Sequence, residues 1–322
     1  MSSRIFIGAA AGTGIFLQKC SSFFRQAVNV QRRIFLGAIS SLPALALSAP
    51  ALLTASTVPQ NSTKGKPVMR RRRVGIALGG GSIHGIAHVG VLKAFAEKGL
   101  KFDFIAGTSA GAILGVLAAA QLPHAEIERI ARRIEWPGVR SMSWSGKGLM
   151  QNASLRMSID AALGNRKLEQ LPVPFAAIAT DIATGARVIL RKGPAGLAIG
   201  ASCSVPVFFD PVNIEGRELV DGGLTEPVPV IAVREMGAEV VIGVDVAFRP
   251  HEEKFEGLTG IAFQTMHIMA NALINEQLPR ADIAIRMNLH EMIGKDDSHD
   301  QLIAAGYAAT MRAWSQIAPR MS

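Results

Sequence analysis

The chain has 322 residues, 49% of them apolar and 18% charged, with a formal net charge of +9. From Met1 to Arg73 there are eleven Lys or Arg and no Asp or Glu, so the remainder, with 34 − 11 = 23 basic against 25 acidic residues, carries −2. The excess of positive charge therefore belongs to the N-terminal segment, and a nucleic-acid partner is excluded as its explanation, because the rest of the chain shows no basic stripe with interleaved aromatics.

That segment reads as a leader. Gln31-Arg32-Arg33-Ile34-Phe35-Leu36-Gly37 is a twin-arginine pattern, followed by an apolar run from Ala38 to Leu53 and small residues suited to cleavage near Ala46, Ala49 or Ala55. The expectation is a twin-arginine-type signal over residues 1–56, a basic linker over 57–73 and one domain over 74–322, with export to the periplasm or association with the inner membrane. The competing reading is an N-terminal membrane anchor or an overlong start, since Ile5 to Leu17 is a second apolar stretch. The cluster Arg70 to Arg73 suits an anionic membrane surface or plain solvation. Cys20 falls in the leader, so Cys203 would have no disulfide partner in a processed protein.

About 250 residues remain, enough for one sizeable α/β domain. In chain order, Val74 to Leu78 is a continuous apolar strand, and Gly85 to Lys98 is a helix closed by Gly99. Phe102 to Ala106 is the next strand, leading into a small-residue helix from Ala110 to Leu122. Pro123 opens a helix with one buried face at Ile127, Ile130, Ala131 and Ile134. Trp136 to Arg166 has weak periodicity and reads as a mobile cover or a loosely packed insertion. Strands follow at Phe175 to Thr180 and Ala186 to Leu190, then a hairpin of Val212 to Ile214 with Glu218 to Val220. Pro229 to Met236 is a helix, Val240 to Val246 a very apolar strand, Ile261 to Leu273 a helix, Ala281 to Met287 a strand and Gln301 to Ala318 a terminal helix. This rhythm predicts an α/β fold of three layers, a mostly parallel central sheet with helices on both faces.

The chemistry gathers at strand ends. Gly107-Thr108-Ser109-Ala110-Gly111 lies between a strand and a helix, the setting of a nucleophile elbow. Glycines on both sides let strand and helix pass closely, and the helix N-terminus favours a developing negative charge beside the hydroxyl. The bland alternative is a glycine-rich turn. Gly79-Gly80-Gly81-Ser82-Ile83-His84-Gly85 follows the first strand and admits two readings. A dinucleotide fingerprint fails on spacing, because neither register places all three glycines, although Asp103 stands near the distance of a ribose-binding acid. An oxyanion hole needs only exposed backbone N–H groups and a nucleophile, which Ser109 supplies. Asp221-Gly222-Gly223 ends another strand, where an Asp is a turn residue or a carboxylate able to serve Ser109.

Together these blocks, with Ala201 to Pro206, Phe209 to Val212 and Ala179 to Gly185, resemble the patatin-like phospholipase family, from about Val74 towards the C-terminus. The resemblance implies Ser109 as nucleophile, Asp221 as base, and Gly80, Gly81 and Ser82 as oxyanion hole. It implies hydrolysis of carboxylic esters of phospholipids or lysophospholipids through an acyl-enzyme, at a membrane surface, with no cofactor and no metal. Two positions depart from the family: its third loop glycine is Ser82 and its basic residue before Gly85 is His84. A Ser-Asp pair also requires Asp221 to be desolvated enough to raise its proton affinity. The alternatives are a Ser-His-Asp esterase completed by His267, His290 or His299, and a non-catalytic lipid-binding module of the same fold. Asp181 and Ser202 to Ser204 read as turn or packing residues. The seven histidines form no ligand cluster.

Overall fold

The computed structural model describes residues 71–134, 153–249, 257–289 and 299–321, all within the compact unit Pro67–Ser322. The leader, the linker up to residue 70, residues 136–152 of the expected insertion and His290 lie outside the described residues.

Among the described residues eight strands form one sheet: β1 Val74–Leu78, β2 Phe104–Thr108, β3 Phe175–Asp181, β4 Arg187–Leu190, β5 Val212–Ile214, β6 Arg217–Asp221, β7 Val240–Asp245 and β8 Ile283–Arg286. Hydrogen-bonded neighbours run β5-β6-β3-β2-β1-β7-β8, with β2 and β6 following one another along one edge of β3 and β4 paired to its other edge. The β3-β2-β1-β7-β8 run is parallel, and the antiparallel pairs are those of β3 with β4, β3 with β6 and β5 with β6. The predicted parallel sheet with added hairpins is what the chain forms.

The α-helices among the described residues are α1 Ala87–Glu97, α2 Ala110–Ala119, α3 His124–Arg133, α4 Ala153–Leu163, α5 Ala195–Ser202, α6 Val230–Glu235, α7 Gly257–Gln277 and α8 His299–Ile317. Strand side chains alternate between two faces of unequal character. Val74, Ile76 and Leu78 of β1, with Ile242 and Val244 of β7, join the larger core packed by α1, α2, α3 and α8. The opposite face presents Ala77, Ala106 and Ala176, over which Val230 and Val233 of α6 pack. Small residues are needed there: a Cβ on Gly75 would lie 2.2 Å from Val233 Cγ1.

Several boundaries move from the sequence expectation, and for physical reasons. β2 runs on through Gly107 and Thr108, so Ser109 follows the strand directly. Before α1, residues Ser82–Ile86 form a tight 3-10 turn rather than helix. Within the expected insertion, α4 is a helix whose buried residues are only Ile159 and Leu163, too few for a periodic signal. α5 gave no amphipathic pattern because nearly all its sides are buried. The basic cluster is partly engaged by the domain's own acids: Arg71 pairs with Asp103 at 2.6 Å, and Glu239 accepts the Arg73 amide at 2.9 Å.

The C-terminal helix docks by glycine contact. A Cβ at Gly90 of α1 would lie 1.8 Å from the Ile303 carbonyl oxygen, and one at Gly306 of α8 would lie 1.9 Å from that of Ala87. Such backbone-to-backbone approach cannot accommodate a side chain without separating the helices. Gly306→Val is therefore expected to lower stability by about 1–3 kcal/mol or more, read as a fall in thermal midpoint.

Candidate active site

Ser109 takes φ 52°, ψ −122° between β2 and α2, a conformation costly for any residue with a Cβ, on the order of 1–3 kcal/mol. Its neighbours enforce it. A Cβ on Gly107 would lie 2.3 Å from the Gly111 carbonyl oxygen, and one on Gly111 would lie 2.0 Å from that of Leu78. The Ser109 amide donates to Ser202 Oγ at 3.0 Å, while its carbonyl accepts from Ala112 N at 2.8 Å to start the helix. Ser202 is fully buried at the end of α5. Sequence reading assigned it to packing; its hydroxyl also orients the elbow.

Asp221 arrives from β6. β2 and β4 pair with the same β3 residue, Ala177, and so occupy opposite edges of that strand. β4 and β6 share Ala179 and Thr180, so β6 lies on the β2 edge. On that edge Thr108 pairs with Ile178 and Asp221 with Ala179, which sets the carboxylate beside the residue that follows Thr108. Asp221 is 6% exposed. Its Oδ1 accepts the Gly223 amide at 2.7 Å, and Oδ2 is buried without a fixed hydrogen bond. Burial pushes the carboxyl pKa up to about 6, against the smaller opposing effects of the Ser109 hydroxyl and the Gly223 amide. Cys203 stands beside both groups; burial pushes its thiol up, and the Asp221 charge adds to that.

The glycine loop crosses above the serine. A Cβ on Gly80 would sit 3.3 Å from Ser109 Cβ. The Gly80 amide, however, donates to the Pro227 carbonyl at 3.0 Å, so of the three expected oxyanion donors this one already has a partner. The Gly81 amide donates to no group among the described residues. Ser82 takes φ 47°, the region where glycine carries no steric cost, which is the backbone reason for a glycine there. His88 Nε2 donates to the Gly79 carbonyl at 2.8 Å and fixes the loop from below; burial lowers its pKa to about 4, keeping it neutral. His84 is buried, stacked on Phe248 at 3.8 Å, and does not line the cavity.

Ser109, Asp221, Gly80, Gly81 and Ser82 all line one cavity of about 620 Å³. Its walls are largely apolar, with Ile113 of α2, Leu155 of α4, Phe208 and Phe209 after α5, and Phe263 and Met266 of α7. Among the described residues no group of three or more His, Cys, Asp or Glu is arranged to hold a metal ion. Asp181 caps its own turn, accepting the Ala183 and Thr184 amides. Asp103 is taken by Arg71 and the Val74 amide, which removes the ribose-binding acid from the dinucleotide reading.

A serine at a strand-to-helix turn, faced by a buried carboxylate and crossed by a glycine loop, sits on a mostly parallel sheet between helices, which defines a three-layer α/β protein. Residues 76–234 match the family model described as Patatin-like phospholipase, and over that stretch the chain belongs to this family. It is 33% identical over 181 residues to an uncharacterized NTE family protein of Mycobacterium tuberculosis, covering 54% of this chain and 49% of that one. It is 31% identical over 192 residues to patatin-like phospholipase domain-containing protein 7 of Rattus norvegicus, covering 56% and 14%. Lysophospholipase NTE1 of Eremothecium gossypii is 28% identical over 185 residues, covering 56% and 12%. The chain thus spans about half the length, or less, of these relatives. Among solved structures, VipD from Legionella pneumophila aligns at a TM-score of 0.46 and 13% identity, covering 76% of this chain and 67% of that one.

Asp221→Asn is expected to stabilise the fold at neutral pH. The ordinary carboxyl pKa of 3.8 is raised to about 6. Below about pH 4 both folded and unfolded chains hold the proton, and the fold carries no penalty. As pH rises through the window from about 4 to 6 the unfolded chain ionises first. Above it the full cost, on the order of 2–3 kcal/mol, weighs on the folded state. Unfolding followed from about pH 4 to pH 8 should show the variant's advantage growing through that window.

Proposed function

We propose that the protein is a lipid acyl hydrolase that cleaves carboxylic esters of phospholipids or lysophospholipids with Ser109 as nucleophile and Asp221 as base. The observation that carries this reading is a strained serine facing a buried carboxylate of raised pKa in an apolar cavity. Family membership supports the coarser assignment to lipid hydrolysis.

Asp221 first accepts the Ser109 proton as Oγ attacks the ester carbonyl carbon. A carboxylate with pKa near 6 is a better base than an ordinary one, yet it is still ionised at neutral pH. The oxygen of the tetrahedral adduct takes its hydrogen bond from Gly81 and lies at the N-terminal, positive end of α2. Collapse expels the alcohol, which receives the proton back from Asp221, and leaves an acyl-serine. Water then gives a proton to Asp221 as it attacks the acyl carbon, and collapse releases the fatty acid while Asp221 returns that proton to Ser109 Oγ. For the leader we carry the twin-arginine reading as a proposal, with export of a reporter fused to residues 1–56, lost on Arg32→Lys/Arg33→Lys, as its test.

A fluorophosphonate probe is expected to label Ser109, and Ser109→Ala to reduce fatty-acid release by more than about a thousandfold. Asp221→Asn should lose both labelling and turnover. The hydrolysis rate of the wild type should rise with pH through about 6 as Asp221 ionises. A folded wild type that neither labels nor releases fatty acid would instead favour the lipid-binding module.

Of the three histidines considered for a triad, His290 lies outside the described residues, His299 is not among the cavity-lining residues, and His267 lines the cavity, packed against Phe263 at 4.2 Å. With Asp221 as the base, His267→Gln should keep near wild-type turnover and an unchanged pH profile; loss of activity would favour the triad.

A further inference from the structure

The large apolar side chains left exposed are not scattered. Among the described residues seven are exposed, and six of these are Met157, Val207, Leu258, Ile261, Ile268 and Met269. Each sits on an element that also lines the reaction cavity. Met157 lies on α4, beside Leu155 and Ser158; Val207 lies between Pro206 and Phe208; the other four lie on α7, which contributes Phe263, Met266, His267 and Ala270 to the wall. Scattered exposed hydrophobic residues are ordinary on a soluble surface, but their concentration around one cavity marks an interaction site.

α7 is built for two environments. Its inner side is held by Phe263 edge-on to Phe208 at 5.7 Å and by Asn271, which donates to the Phe248 carbonyl at 2.6 Å. Its outer side presents Leu258 at 84% exposure, with Ile261, Ile268 and Met269 all above half. From Gly257 to Asn275 there is no Asp, Glu, Lys or Arg, although the surface elsewhere carries ion pairs such as those of Arg132 and Arg234. A helix without fixed charge has nothing to attract a charged protein or an anionic surface, but it gains by burying its side chains in the headgroup and acyl boundary of a lipid layer. Val207 has φ 74°, a strained conformation for a β-branched residue, and yet it is 43% exposed.

We propose that the outer face of α7, with Val207 and Met157, docks on an electrically neutral lipid surface, holding the cavity mouth against the layer from which the substrate is drawn. The inference rests on the lipid-hydrolase reading for its purpose, but its test does not depend on turnover. The full chain should float with phosphatidylcholine vesicles to the same extent at low and high salt, and Ser109→Ala should float equally. The triple variant Ile261→Ser/Ile268→Ser/Met269→Ser should lose at least about tenfold in vesicle partition. It should keep the thermal midpoint and the turnover of a monomeric short-chain ester. Should that variant fail to fold, Val207→Ser supplies the same comparison at a second point of the rim. Vesicle binding that the variants retain, or that salt abolishes, would overturn the proposal, as would a wild type that does not bind. A wild-type dimer converted to monomer by the substitutions would assign the face to a second copy of the chain and overturn it as well. Docking that persists in a protein found to have no esterase activity would uphold the surface and defeat only the hydrolase reading.

Discussion

The site depends on a handover along one edge of β3. β2 occupies that edge as far as Ile178 and stops at Thr108; β6 takes it over at Ala179, and its paired residue there is Asp221. Thr108, which leads directly into Ser109, and Asp221 therefore occupy consecutive rungs of one ladder, although 112 positions separate Ser109 from Asp221 in sequence. The turn after Asp221 is held to the same strand, since a Cβ on Gly222 would lie 2.3 Å from the Ile178 carbonyl oxygen. Backbone pairing sets the direction in which the carboxylate faces, so its geometry does not rely on flexible side-chain packing.

Two costly features meet at that junction, a serine with positive φ and a carboxylate removed from water. Both persist because the surrounding backbone is over-determined. Glu226, fully buried, accepts the Ile231 and Ala232 amides at the start of α6 and pairs with Arg187 at 2.7 Å. Its carbonyl accepts the Thr108 hydroxyl at 2.7 Å, and one residue further on the Pro227 carbonyl holds Gly80. The segment after Asp221 thus ties the elbow, the glycine loop and α6 into one hydrogen-bonded unit. The same ties commit the Gly80 amide to the Pro227 carbonyl, whereas the Gly81 amide donates to no group among the described residues.

The unequal faces of the sheet complement this arrangement. Small side chains on one face admit α6 at close range, and the larger core on the other supports α1, α2 and α8. The cavity opens beyond the C-terminal strand ends, where α/β proteins place their ligands. It is walled on one side by a helix whose inner and outer surfaces are both apolar. Under the function proposed above, a lipid acyl chain would meet apolar side chains along this wall.

Much of this was legible in the chain. Continuous apolar runs marked β1, β3 and β7, and the glycines around Ser109 announced a close strand-to-helix crossing whose strain the backbone bears out. Other parts left no local trace. α4 buries only two side chains, α5 is covered on nearly every side, and the bond from the Ser109 amide to Ser202 joins residues with no sequence relation. Residue types and turn chemistry, which act over a few positions, determined the strands, the elbow and the glycine loop by sequence alone. Only the tertiary structure decided that Asp221 meets Ser109, that Gly80 is already bonded and that His84 lies buried against Phe248, because these follow from strand pairing and packing between segments that sequence order does not bring together.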